Sequence, residues 1–169
     1  MSKSKIGIFN LPRNVQNKMS LMVEKSKETG IEYGFNMCID RIDPILDIKT
    51  ADTCIGTDCT INMDKKPCTR NQDKIGTFHT HPDDEYGSYN INDMYLWYER
   101  NEVGCIGGTN QITCYIPKHR KNCTTDIKDL YTSYLKGERV TGELDFDLLI
   151  RSTKTEERCF DEKIFKLIK

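Results

Sequence analysis

Histidine, tryptophan and long apolar runs are scarce in this chain of 169 residues, which has three histidines and one tryptophan. No stretch approaches the ~18 consecutive apolar residues typical of a membrane-spanning helix. The N-terminal segment also lacks the apolar core and the small-residue cleavage site of a secretory signal peptide. We therefore expect a soluble, intracellular (cytoplasmic) protein with no membrane partner.

An excess of charge of either sign is also absent. The chain has 25 basic and 26 acidic residues, which gives a net charge of −1. Proteins that coat nucleic acid usually carry a basic face that is visible in the net charge, so a nucleic-acid partner is not expected. The length is enough for one core, and we expect a single domain over residues 1–169.

A C-x-x-C pair is missing although the chain has eight cysteines, so a four-thiolate zinc site is not expected. Without a signal peptide the default is reduced thiols, and disulfides are the alternative if the source is a hyperthermophile. Cys105 and Cys114 flank the segment GGTN and would then bridge a hairpin. A cysteine enzyme that uses His119 with Cys114 or Cys123 is a rival, but nothing in the sequence fixes that pair.

The spacing of apolar residues predicts an α/β fold (an α+β sandwich) with a mixed central sheet flanked by helices. A short strand at 6–9 leads to a helix with Pro12 in its first turn and its end near Thr29-Gly30. Strands are then predicted at 31–39, 45–50 and 74–80. The last of these ends in the pair of histidines.

A helix from Ile91 to Arg100 and two strands, VGCIG and QITCYIP, are predicted next, with a turn between the strands. Thr124-Thr125-Asp126 predicts the cap of a further helix, which would end near Gly137. Residues 51–71 carry three cysteines and are interpreted as a connecting insertion with a weak strand at TINM. The segment 139–169 is interpreted as a C-terminal extension, in which 144–150 fits helix or strand and 158–168 fits a strand.

His79 and His81 are the most distinctive residues chemically. Residues i and i+2 of a strand point to the same side, so both imidazoles can reach one metal ion. A catalytic zinc usually has three protein ligands and a water, and Asp93 in the first turn of the following helix is the best third ligand. The simpler interpretations are two surface histidines and a capping box formed by Asn90 and Asp93.

The segment HTHP at 79–82 followed by Asp93 resembles the motif of the JAB/MPN (JAMM) zinc metalloprotease family, which is a glutamate, then H-x-H-P, then S-x-x-D at a helix start. The resemblance covers about residues 6–117. It implies a JAB/MPN domain of cytidine-deaminase-like architecture, in which the two histidines and the aspartate bind Zn²⁺. It also implies a general-base glutamate on the first core strand, for which Glu32 is preferred over Glu28.

Two departures from the family pattern affect the expected chemistry. The serine that helps to stabilise the oxyanion in the family is replaced here by Asn90, whose amide can donate a hydrogen bond, and Ser88 is the second candidate. The interval from His81 to Asp93 is also one residue longer than usual.

The resemblance implies a zinc-dependent metallopeptidase or isopeptidase that hydrolyses a protein or peptide substrate, with conjugates of ubiquitin-like proteins among the candidates. The alternative is a catalytically inactive MPN-type scaffold or interaction module. Other metallohydrolases with an H-x-H pair need more ligands and larger barrels than a chain with three histidines supplies. The sequence predicts no particular oligomeric state.

Overall fold

The computed structural model describes residues 10–42, 47–56, 65–141 and 146–169, and for 137–141 only the backbone. The helices in these ranges are α1 (Arg13–Thr29), α2 (Ile91–Arg100), α3 (Cys123–Thr141) and α4 (Phe146–Cys159). The strands are β1 (Tyr33–Asp40), β2 (Lys49–Thr50), β3 (Cys54–Ile55), β4 (Gln72–Thr80), β5 (Val103–Gly107), β6 (Gln111–Pro117) and β7 (Phe160–Lys166). No helix in these ranges is both long enough and apolar enough to cross a membrane.

The strands form one mixed sheet in the order β2-β1-β4-β5-β6-β7, and β3 also pairs with β1. β4 and β5 are parallel and are joined through α2, whereas the other pairs are antiparallel. One hydrophobic cluster lies between α1 and the sheet, and a second packs α2, α3 and α4 against side chains of β5, β6 and β7. The expected α+β class, with helices flanking a mixed sheet, is confirmed.

Helix α1 ends where it was predicted to end and begins one residue later than expected, because Pro12 caps the first turn instead of lying in it. Pro12 is the N-cap residue, and Gly30 ends the helix in the left-handed conformation with φ 70°. The amide of Gly30 donates to the carbonyl of Ser26 at 2.8 Å, which satisfies one of the last carbonyls of the helix. The buried face of α1 carries Val15, Met19, Ser20, Met22, Val23 and Ser26.

Helix α2 lies close to the sheet because β5 has a glycine under it. A Cβ atom on Gly104 would stand 1.8 Å from Cε2 of Trp97, so a side chain there would push the indole away. The indole also stacks on Tyr115 of β6, with ring centroids 5.5 Å apart. These contacts fix the helix that follows the histidine strand, and with it the position of Asp93.

The start of α3 differs from the prediction. The helix begins at Cys123, directly after Asn122, which has the left-handed φ of 71°. The residues at 124–126 therefore lie inside the first turn, and their expected role as the cap is wrong. The helix also continues through Gly137 to Thr141, because one glycine costs a helix only about 1 kcal/mol.

The C-terminal segment is part of the same sheet and helix layer. The stretch 144–150, which fitted helix or strand, is helical from Phe146, and the strand expected at 158–168 is β7. β7 pairs with β6 along its whole length, from Phe160 opposite Pro117 to Lys166 opposite Gln111. The strand completes one edge of the described sheet.

The region between β1 and β4 is where the observed strands differ most from the predicted ones. Of the strand expected at 45–50, the first two residues lie outside the described residues, and within the rest only β2 is a strand; β3 was not predicted. Both pieces are two residues long, which is too short for a period-two pattern to be recognised. The strands expected at 6–9 and at TINM lie outside the described residues.

Among the described residues three disulfides connect the elements, so the default expectation of reduced thiols is wrong for their cysteines. Cys38–Cys68 joins β1 to the segment before β4, and Cys123–Cys159 joins the start of α3 to the end of α4. Cys105–Cys114, the alternative expected across the hairpin, is also present. Cys54 is a buried free thiol. Such bridges persist in oxidising environments, whereas a reducing cytosol removes them.

The bridge between Cys123 and Cys159 closes a loop of 36 residues. We expect the double variant Cys123→Ser/Cys159→Ser to lose about 2–4 kcal/mol of unfolding free energy, because the unfolded chain regains entropy. Urea denaturation followed by circular dichroism measures the change. Cys54→Ser removes a thiol without opening a bridge and should cost less. Alkylation of Cys123 or Cys159 in unreduced, denatured protein would contradict the pairing.

Candidate metal centre

The two histidines at the end of β4 face the same side, as the strand period requires. Their Nε2 atoms are 3.0 Å apart and their ring centroids 4.8 Å apart. His79 is buried, with 5% of its surface exposed, whereas His81 directly follows the strand and is half-buried. The interpretation as two surface histidines does not fit, because the rings converge on one point instead of pointing into solvent.

Asp93 belongs to a capping box at the start of α2. The Asn90 Oδ1 atom accepts from the amide of Asp93 at 2.9 Å, and the amide of Asn90 donates to the carboxylate of Asp93 in return. The second oxygen, Oδ2, is buried and has no hydrogen-bond partner among the described residues. It lies 3.8 Å from Nε2 of His79. The box therefore turns an unsatisfied carboxylate oxygen toward the imidazoles.

The ligand atoms of His79, His81 and Asp93 all lie within 4.8 Å of one another. Zinc bonds of about 2.0–2.1 Å in a tetrahedron would put neighbouring ligand atoms roughly 3.4 Å apart. The Nε2 atom of His79 lies 3.0 Å from Nε2 of His81 and 3.8 Å from Oδ2 of Asp93, and these two separations bracket that value. Two imidazole nitrogens and one orphaned carboxylate oxygen form a donor set that can hold a metal ion, and they leave the remaining position to a water.

The electrostatics of the group also fit a cation. Burial, with the charge of His81 as a second cause, lowers the pKa of His79 to about 3, so this imidazole is neutral and can act as a ligand at pH 7. Burial raises the pKa of Asp93 to about 6, and the negative charge of Glu32 acts in the same direction. A bound cation would compensate the buried carboxylate.

Glu32 lies beside this group, one residue before β1 instead of inside it. Gly34 pairs with His79 as the last pair of the β1–β4 register, and Glu32 lies two residues beyond it, as His81 does on the other strand. The negative charge of Glu32 also helps to raise the pKa of Asp93, so the two carboxylates lie within electrostatic range of each other. The backbone carbonyl of Glu32 accepts from the amide of Gly56 at 3.0 Å.

A chain of buried hydrogen bonds fixes the backbone on both sides of Glu32. The amide of Tyr33 donates to Oγ1 of Thr80 at 3.0 Å, and this hydroxyl donates to Oγ of Ser26 at 2.8 Å. The Ser26 hydroxyl donates in turn to the carbonyl of Ile31 at 2.8 Å. The threonine between the two histidines thus ties the histidine strand to α1 and to the segment that carries Glu32.

The two candidates for oxyanion stabilisation lie in different surroundings. Asn90 is exposed at the start of α2, and its Oδ1 is used by the cap, which leaves its amide nitrogen to donate. The amide of Ser88 donates to Oδ2 of Asp84 at 2.6 Å. Ser88 also lines a cleft with Tyr89 and Glu156 that none of the three candidate ligands lines.

Two positions at the site were not predicted from the sequence. The sequence pattern assigned no role at the site to Ser26 or to Thr80. The signal that could have identified both is a hydroxyl side chain at a position where the sequence pattern predicts burial. The rival cysteine enzyme would need Cys114 or Cys123 as a free thiolate, and both are in disulfides.

No protein-family model and no curated protein matches this chain.

We expect the protein to take up one equivalent of a divalent metal ion at this group. His81→Ala should abolish the uptake, because two ligands on separate elements hold such an ion much less tightly than three. Dialysis against Zn²⁺ followed by elemental mass spectrometry measures the content. His119→Ala is the matched control, since His119 contacts Asn101 at the other end of α2. Equal zinc content in the two variants would contradict this site.

Proposed function

We propose that the protein is a zinc metallopeptidase of the JAMM type, with a JAB/MPN domain, that hydrolyses a peptide or isopeptide bond. The observation that carries the proposal is the buried, unsatisfied Oδ2 of Asp93 aimed at two convergent histidine nitrogens. The attachment of the Glu32 segment to the histidine strand, through the Gly34–His79 pair and the bond from the Tyr33 amide to Thr80, supports it further, because a general base must lie next to the attacking water.

The metal ligands in this proposal are His79, His81 and Asp93, and the group they hold is Zn²⁺. Two nitrogens and one oxygen with a position left for water are typical of catalytic zinc sites. When bound, zinc supplies Lewis-acid chemistry, which lowers the pKa of a water molecule and polarises the scissile carbonyl. The capping box and the hydrophobic packing of α2 hold the aspartate, so the ligand comes from a rigid element.

Glu32 is the proposed general base. Its carboxylate accepts a proton from the attacking water and then returns it to the leaving amine. Two features support this role: the backbone on both sides is held by hydrogen bonds, and the side chain is only partly buried, so it can be reached by water. The amide nitrogen of Asn90, or the hydroxyl of Ser88, donates to the oxyanion.

The substrate in this proposal is a protein or peptide, and conjugates of ubiquitin-like proteins are the first class to test. The rival function is an inactive MPN-type scaffold. One observation favours the rival: the residue at the serine position is Asn90, and its side-chain oxygen is already used to cap α2. The two functions differ in what Glu32 does, since a scaffold has no use for a general base.

Replacement of the general base should separate the two functions. We expect Glu32→Gln to lower kcat by about 10²–10⁴-fold without loss of bound zinc, because proton transfer is lost while the ligands remain. Isopeptide-linked ubiquitin dimers and a fluorogenic peptide library are the substrates. Glu28→Gln, an exposed carboxylate on α1, is the matched control and should keep the wild-type rate. A zinc-loaded wild type that cleaves none of these substrates would favour the scaffold.

The oxyanion donor can be identified at positions 88 and 90. We expect Asn90→Ala to lower kcat by ~10²–10³-fold. Asn90→Ser should retain most activity, because serine restores both a donor and a helix cap. Ser88→Ala should have little effect. The opposite result, a large loss in Ser88→Ala and none in Asn90→Ala, would transfer the role to Ser88. Thermal unfolding of each variant separates loss of the cap from loss of the donor.

A further inference from the structure

Asp84 lies on the far side of the His81 ring from the proposed metal. Its Oδ2 atom is 3.8 Å from Nδ1 of His81, whereas the Nε2 atom of that ring faces His79. The separation is about 1 Å longer than a hydrogen bond, a gap that a small rotation of the ring closes. Going outward from the proposed metal, the order of atoms is therefore Nε2 of His81, Nδ1 of His81 and Oδ2 of Asp84.

The position of Asp84 is fixed by its backbone. Its amide donates to the carbonyl of His81 at 3.2 Å, and its carbonyl accepts from the amide of Thr109 at 2.7 Å. The amide of His81 is itself bonded to the carbonyl of Gly107 at 2.9 Å. The turn after β4 is therefore attached to the end of β5 and to the β5–β6 turn, and Asp84 cannot move away from His81 without breaking these bonds.

The side chain of Asp84 is also oriented. Its Oδ1 atom accepts from the amide of Tyr86 at 3.0 Å, and its Oδ2 atom accepts from the amide of Ser88 at 2.6 Å. A carboxylate oxygen can accept more than one hydrogen bond, so Oδ2 still has a lone pair for His81. Two hydrogen bonds from backbone amides hold the carboxylate in one orientation, in which Oδ2 faces the His81 ring.

The chemistry of a histidine ligand explains what this arrangement does. Nε2 binds a metal only when it carries no proton, and a neutral ring must then carry its proton on Nδ1. A hydrogen bond from Nδ1–H to a carboxylate selects that tautomer, fixes the ring plane and makes the ligand more basic.

We propose that Asp84 is a positioning residue that accepts the Nδ1 proton of His81 and keeps Nε2 turned toward the metal. This role rests on the metal centre proposed above and does not depend on which substrate is cleaved. It adds an acidic side chain from the loop to the determinants of metal affinity.

The first test compares the zinc affinities of Asp84→Asn and Asp83→Asn, measured by competition with a chromophoric chelator. Asp83 is the adjacent, exposed carboxylate, so its variant removes the same charge. We expect Asp84→Asn to bind zinc about 10–100-fold more weakly, and Asp83→Asn to bind like the wild type. An equal loss in both variants would mean that only net charge matters and would overturn the proposal.

The second test detects the hydrogen bond between His81 and Asp84 directly. In the zinc-loaded protein the Nδ1 proton of His81 should give a downfield, slowly exchanging NMR resonance, which is assigned easily because the chain has three histidines. The resonance should move upfield or vanish in Asp84→Asn. A residue that merely braces the loop would change the unfolding temperature but not this signal. An unchanged resonance with wild-type zinc affinity would overturn the proposal.

Asp84→Glu covers the case in which Asp84→Asn does not fold. It keeps the charge but displaces the carboxylate by one methylene, and we expect an intermediate loss of zinc affinity. Wild-type affinity in this variant would count against the positioning role. Failure of the wild type to bind zinc would refute the metal centre and this role together. Zinc binding without cleavage of any substrate would refute only the peptidase activity.

Discussion

The pairing of β1 with β4 is the interaction on which the site depends. Through it the segment that carries Glu32 is brought opposite the histidine strand, and the register from Gly34–His79 onward decides which residues face each other. The Tyr33–Thr80–Ser26 chain of hydrogen bonds continues this attachment past the last paired residues. Because these bonds are buried, losing one would leave an unsatisfied polar group. The same residues therefore hold the fold together and position the proposed base.

Asp93 illustrates how a structural role and a chemical role can share one side chain. Its carboxylate closes a capping box with Asn90 through one oxygen and leaves the other oxygen without a partner. A buried unsatisfied carboxylate oxygen normally costs several kcal/mol, so its presence beside two imidazoles needs an explanation. A metal ion supplies one, because it compensates the charge that burial alone would penalise. A side chain that closes a capping box can also offer its second oxygen to a metal ion, so the two interpretations of Asp93 are compatible.

The position of His81 depends on hydrogen bonds of the loop that follows it. His81 is outside the regular strand, and the acidic loop after it is attached to the β5–β6 turn by hydrogen bonds from Thr109 and Asn110. The parallel strand β5 thus supports the loop as well as the sheet. The disulfide between Cys105 and Cys114 links the two strands of that hairpin. The parts of the chain that surround the candidate site are therefore constrained by covalent and hydrogen-bonded contacts together.

Local patterns determined much of this protein. The apolar spacing between Pro12 and Gly30 predicted α1 to within about one residue at each end, and the spacing from Ile91 to Arg100 predicted α2. The H-x-H spacing placed two imidazoles on one side of a strand. These features depend on residues a few positions apart, so a single sequence contains them. The start of α3 was misjudged because a left-handed Asn122 began the helix before the better-known cap residues.

Only the tertiary structure decided which distant residues meet. The two-residue strands β2 and β3, the three disulfide pairings and the Ser26–Thr80 bond join positions that are far apart in the chain, and no local period encodes them. The same holds for the approach of Glu32 to Asp93, which follows from the sheet register and the packing of α2 on Gly104. The sequence determined the ligand types, and the fold decided that their atoms converge.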